Sequence, residues 1–115
     1  MSDSNLIFKI VSTEQWTAAE QAGVFKGAAI DLQDGYIHFS DSEQLQETAA
    51  KHFAGQTGLL LVAVETGALG EDLKWEPSRG GALFPHLYGE LKTDLALWVK
   101  ELPWGSEGKH LFPDF

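Results

Sequence analysis

Leu59-Leu60-Leu61-Val62-Ala63-Val64 is the stretch whose reading decides how this chain folds. Six apolar residues in succession leave no polar face. A segment so short and so rich in branched side chains is expected to be a central strand covered on both sides. The rest of the chain must therefore supply two covering layers.

Toward the N-terminus, residues 6–11 (Leu-Ile-Phe-Lys-Ile-Val) are rich in β-formers and read as the first strand. Ser12-Thr13-Glu14-Gln15 has the form of a capping box and predicts a helix through about Gly23. Residues 27–35 read as a connecting stretch ending in the turn signal Asp34-Gly35. Residues 36–40 (Tyr-Ile-His-Phe-Ser) read as a short strand. Ser40-Asp41-Ser42-Glu43 is a second capping box, opening a helix with Leu45, Ala49 and Phe53 on one face and Gly55 at its end. Toward the C-terminus, Gly67 and Gly70 break the chain. Residues 73–76 then form a short strand, 77–81 a loop, 86–91 another short strand, and 95–99 a further buried strand. The tail, 103–115, is expected to pack along the surface through Trp104, Leu111, Phe112 and Phe115. Two early helices followed by several late strands predict an α+β fold with residues 1–115 as one domain, not alternating parallel βαβ units.

With 115 residues, 43% of them hydrophobic, the chain is long enough to bury a core without disulfides or metals, and it has no cysteine. Its polar, acidic N-terminus lacks the features of a secretion signal, and its longest apolar run is far too short to span a bilayer, so the expected setting is cytoplasmic. A formal net charge of −9 opposes non-specific contact with nucleic acid or anionic membrane, so neither is expected as a partner. The nucleotide-binding glycine motifs and the Gly-x-Ser-x-Gly elbow are absent.

Three segments concentrate unusual chemistry. In an extended strand His38 and Ser40 share a face, where an imidazole and a hydroxyl can bind polar ligand groups or move a proton. Ser40 as a helix cap and His38 bonded to a carbonyl are the structural alternatives. In Trp75-Glu76-Pro77-Ser78-Arg79-Gly80-Gly81 stands the only arginine, beside two glycines that let backbone N–H groups approach an anion. A Glu76–Arg79 pair that pins the loop is the alternative. In Phe84-Pro85-His86-Leu87-Tyr88, His86 and Tyr88 repeat the spacing of two. No metal signature accompanies these histidines, and no metal site is expected. His52 and His110 read as surface or structural residues, and Trp16, Trp75, Trp98 and Trp104 as core. The candidate ligand-binding residues are thus His38, Ser40, Glu76, Arg79, Gly80, Gly81, His86 and Tyr88, with no residue assigned as catalytic. Two readings stand open: a small-molecule site for an anionic or nucleotide ligand, and a non-catalytic interaction domain in which the same residues form a structural network.

The motifs in residues 34–40, 48–53, 73–81 and 84–89 resemble the bacterial family known as domain of unknown function 952, over nearly the whole chain. The resemblance implies a compact α+β domain similar to the ADP-ribosyltransferase fold, with a split, bent antiparallel sheet and an NAD-type cleft. Transferases of that fold use an early His or Arg, a middle Ser or Tyr and a late Glu. By analogy His38 or Arg79 would grip a phosphate or ribose, Tyr88 would stack on a ring, and Glu101 is the candidate late glutamate, though without a diagnostic neighbour. Fold likeness alone fixes no activity.

Overall fold

The computed structural model describes residues 5–78 and 81–113. Strands β1 (Leu6–Ser12), β4 (Ser40–Asp41), β5 (Leu59–Glu65) and β9 (Ala96–Leu102) form a four-stranded sheet in the order β4-β1-β5-β9. A second sheet has the order β3-β7-β6, built from β3 (Ile37–His38), β7 (Ala82–Leu87) and β6 (Leu73–Ser78). β2 (Val24–Phe25) and β8 (Leu91–Lys92) make a separate ribbon. Every strand pair among the described residues is antiparallel. The α-helices are α1 (Thr13–Ala22), α2 (Ala29–Asp34) and α3 (Leu45–His52). The α+β class follows the sequence reading, with one helix more, and the antiparallel pairing is what the family resemblance implied.

The all-apolar run does lie at the centre. β5 pairs with β1 and with β9 and feeds two cores by alternation. Val62 and Val64 join Ile7, Val11, Trp16, Phe25, Ile37, Leu87 and Leu91 on one face. Leu59, Leu61 and Ala63 join Phe8, Ile10, Leu45, Ala49 and Leu102 on the other. α3 thus covers one side of the large sheet, while α1 and the second sheet cover the opposite side. The Ser12–Gln15 capping box forms as expected, with the Gln15 N–H donating to Ser12 Oγ at 3.0 Å and the Ser12 N–H donating to Gln15 Oε1 at 3.1 Å. Phe112 packs on the second core and Trp104 bridges to His110, so the tail lies against the body.

Several expectations are corrected. Residues 29–34 are a helix, α2, not a connection. Its apolar pattern is inverted: Ile30 and Leu32 are exposed while Asp31 is buried, so no inward apolar stripe marks it. Residues 36–40 are not one strand. β3 pairs with β7, then the chain crosses at Phe39 and β4 pairs with β1 in the other sheet. Ser40 caps nothing; the turn before α3 is held by Asp41 Oδ1, which accepts from the N–H groups of Glu43 and Gln44. The predicted strand at 86–91 is instead β7, ending at Leu87, and β6 extends through Pro77, which an edge strand tolerates. The predicted strand at 95–99 is the edge strand β9, with Leu97 exposed and not buried. Trp75, expected in the core, is 43% exposed.

Gly27 is the tightest backbone position near the site. Its φ is +118°, and a Cβ there would lie 2.8 Å from Asp31 Cβ. Gly27→Ala should therefore destabilise the domain by about 1–3 kcal/mol. Urea unfolding checks this; a midpoint equal to wild type contradicts it.

Candidate functional site

The site begins with a charge where the strand pattern demands an apolar residue. Lys9 shares its β1 face with Ile7 and Val11, and it is buried. Its Nζ donates to Asp31 Oδ1 at 3.1 Å and lies 2.9 Å from Oδ2. Asp31, only 1% exposed, also accepts from the Ala28 N–H at 2.8 Å and the His38 N–H at 3.1 Å. The His38 ring nitrogen Nδ1 hydrogen-bonds to the same Asp31 Oδ1. One carboxylate thus ties β1, the start of α2 and β3 together.

Burial pushes the Asp31 carboxyl upward, but the hydrogen bond from His38 and the Lys9 ammonium outweigh it and hold the group down at about 2. Burial lowers Lys9, with the Asp31 charge opposing. An ionised Asp31 can only accept, so His38 Nδ1 is the donor, which fixes the ring's orientation. The other nitrogen, Nε2, lies 3.0 Å from Asp34 Oδ2 at the end of α2, and the His38 side chain is 31% exposed.

Register places His38 opposite His86 on the face of the second sheet that points away from the core. His86 is 3% exposed, with the Tyr36 ring stacked on it at 4.2 Å and 27°. Its Nδ1–H donates to Glu76 Oε1 at 2.8 Å, and the Tyr88 hydroxyl donates to the same oxygen at 2.8 Å. These bonds, His86's first, hold Glu76 below the usual carboxylate range. The bond to Glu76 keeps the Tyr88 hydroxyl above its usual range, and burial beside Asp34 and Glu76 does the same for Tyr36. Tyr36 also lies 4.8 Å from the His38 ring and 5.1 Å from Tyr88.

Of the sequence-predicted residues, the fold gathers His38, Glu76, His86 and Tyr88. It does not gather Ser40, which the crossing at Phe39 sends to the other sheet, where its hydroxyl meets Thr48 Oγ1 at 2.9 Å. Gly81 is an exposed turn residue with φ 93° before β7. Arg79 and Gly80 lie outside the described residues. Glu101 is exposed on β9, at the edge of the large sheet, and not on the sheet that carries the cluster. His52 is exposed, and His110 is buried and structural, its Nε2 bonded to the Gln56 carbonyl at 3.0 Å. Sequence reading missed Lys9, Asp31, Asp34 and Tyr36. A lysine inside an apolar strand was the available signal for Lys9, and an even spacing from His38 the signal for Tyr36.

Among the described residues no group of His, Asp and Glu has the arrangement of a metal site, and no buried side-chain polar atom lacks a partner. A groove of about 600 Å³ lies elsewhere, between α3 and the tail, lined by Ala49, Ala50, Trp104 and Phe112 among others. Its lining also carries Glu47, Lys109 and His110. No helix is long and apolar enough to cross a membrane.

The fold is thus an antiparallel α+β domain carrying a surface cluster of two His, two Tyr and their carboxylates. Residues 10–99 match the family described as protein of unknown function (DUF952), and the chain belongs to that family. The crystal structure of protein CC0527 from Caulobacter crescentus is 53% identical, with TM-score 0.89 over 92% of this chain and 93% of that one. A double-methionine variant of CC0527 gives 52% identity and TM-score 0.88 over 92% and 93% of the two chains. The solution structure of CC0527 gives 53% and 0.83 over 91% and 90%. Among curated proteins nothing matches the chain.

The electrostatics set a pH dependence. An unfolded Asp31 titrates near 3.8 and the folded one at about 2, so its stabilisation is present above pH 3.8 and lost as pH falls through 2. That contribution is roughly 2 kcal/mol. Acid unfolding followed by circular dichroism should show the loss in wild type, while Asp31→Asn lacks this acid-linked component. Lys9→Met removes the ammonium that balances a buried carboxylate and should cost about 3–5 kcal/mol at neutral pH. Lys9→Met combined with Asp31→Leu should recover part of that loss. A Lys9→Met protein as stable as wild type in urea contradicts the pairing.

Proposed function

We propose that this domain binds a small nucleotide-class ligand at the histidine cluster, with His38 as the group that meets the ligand's polar atoms. The observation that carries the reading is the support behind His38. A buried Lys9–Asp31 pair costs desolvation, and its product is an imidazole fixed at Nδ1 with its other edge at the surface. That is the arrangement a hydrogen-bonding or acid–base group needs. Tyr36 and Tyr88 offer ring faces beside it for a planar base. Arg79, Gly80 and Gly81 follow Glu76 in the chain and have the chemistry to hold a phosphate. NAD and its fragments are the first candidates, because the family's fold is read as resembling the ADP-ribosyltransferase fold and a group transfer from NAD would use such parts. In this reading His86 is a positioning residue, enclosed under Tyr36 and holding Glu76.

The interaction-domain reading has one observation of its own. Trp75 and Leu83 are 43% and 51% exposed on one face of the β6–β7 hairpin, an apolar surface suited to a protein contact.

A thermal-shift screen against nucleotides, NAD, ADP-ribose, sugar phosphates and small carboxylates separates the two. Ligand at about ten times its Kd adds about 1.4 kcal/mol, a rise of several degrees in a domain of this size. The rise should disappear in His38→Ala and weaken in Arg79→Ala. No response to any compound, from a protein that is well folded, overturns the small-molecule reading in favour of the protein contact.

A further inference from the structure

Both ring nitrogens of His38 face carboxylate oxygens: Nδ1 faces Asp31 Oδ1, and Nε2 stands 3.0 Å from Asp34 Oδ2. Both contacts are hydrogen bonds only when the ring carries a proton on each nitrogen. The charges then resolve simply. Lys9 and Asp31 neutralise each other, so Asp31 orients the ring without balancing it. Asp34 is then the carboxylate left facing Nε2.

Asp34 is suited to leave. It is the last residue of α2 and its side chain is 36% exposed. The helix end does not depend on it, because the Gly35 N–H caps through the Asp31 carbonyl at 2.8 Å. Among the described residues the other ionisable groups around the ring are Tyr36, tilted against His38 and stacked on His86, and the trio of Glu76, His86 and Tyr88 across the sheet. Glu76 Oε1 is engaged by His86 and Tyr88, so its charge is turned toward them and not toward His38 Nε2. With Asp34 moved aside, His38 Nε2 is the polar edge left facing outward.

We propose that Asp34 is a built-in occupant of the ligand's place: the site takes an oxyanion oxygen on His38 Nε2, and Asp34 is the side chain that oxygen displaces. This rests on His38 being the ligand-binding group and adds the ligand's chemical class and an intramolecular competitor. The ligand presents its charged oxygen to His38, and free Asp34 sets a threshold that weakly charged or neutral compounds do not pass.

The test is a proton–nitrogen NMR titration of the His38 ring at fixed pH, in wild type and Asp34→Ala, with inorganic phosphate and acetate as separate probes. Glu107→Ala, an exposed acidic residue in the tail, controls for the same change in net charge. Without probe, the Nε2 signal in Asp34→Ala should move away from its wild-type position as the Asp34 contact is lost, and it should stay in place in Glu107→Ala. Phosphate or acetate should return it, binding about fivefold tighter than in wild type, the scale of one exposed ion contact. An Nε2 signal unmoved by Asp34→Ala overturns the contact. A moved signal that neither anion restores overturns the oxyanion class. Equal affinity in Asp34→Ala and wild type overturns the competition. The first result is read with no ligand at all, so it stands or falls apart from the nucleotide screen.

Discussion

The Lys9–Asp31 pair is the constraint on which the rest of the site depends. Burying two charges is costly, and the cost is offset only when every remaining hydrogen-bonding position is filled. Here Asp31 meets that condition by accepting from Lys9, the Ala28 N–H, the His38 N–H and the His38 ring. The donors come from three separate parts of the chain, Lys9, Ala28 and His38. The pair therefore works as a joint between the large sheet, the short helix and the second sheet, and Gly27 is the residue that lets the backbone come close enough to make it.

The same joint gives the surface its chemistry. His38 sits where the chain leaves the second sheet, one residue before the crossing at Phe39. A residue at such a crossing has little regular structure to hold it, and Asp31 supplies the missing support through both backbone and ring. His86, opposite in the sheet, has the contrary character: covered by Tyr36 and bonded to Glu76, it fixes its neighbours. Two histidines at equal register thus divide into an open one and an enclosed one.

What could be read from the sequence was whatever depends on neighbours in the chain. The apolar run at 59–64 reads as central because it has no polar face, and the Ser12–Gln15 box is visible because its partners are three residues apart. The shared face of Leu45, Ala49 and Phe53 follows from helical spacing, and that of His86 and Tyr88 from extended spacing. What depends on distant partners was hidden. Lys9 and Asp31 are 22 residues apart, and the charge of Asp31 points inward from a helix whose isoleucine and leucine point out. That inversion made α2 look like a connection. Ser40 was grouped with His38 because nothing local marks the change of sheet at Phe39. Trp75 looked like core because aromatic residues usually are, yet it stands 43% exposed on β6, the edge strand of its sheet.

The central claim is that an ionised, buried Asp31, balanced by Lys9, holds His38 through Nδ1. Neutron diffraction from a deuterium-exchanged crystal at neutral pH tests it most directly. The account predicts three deuterons on Lys9 Nζ, none on the Asp31 carboxylate, and one on His38 Nδ1 pointing at Asp31 Oδ1. A neutral Lys9 beside a protonated Asp31, or a bare Nδ1, would contradict it.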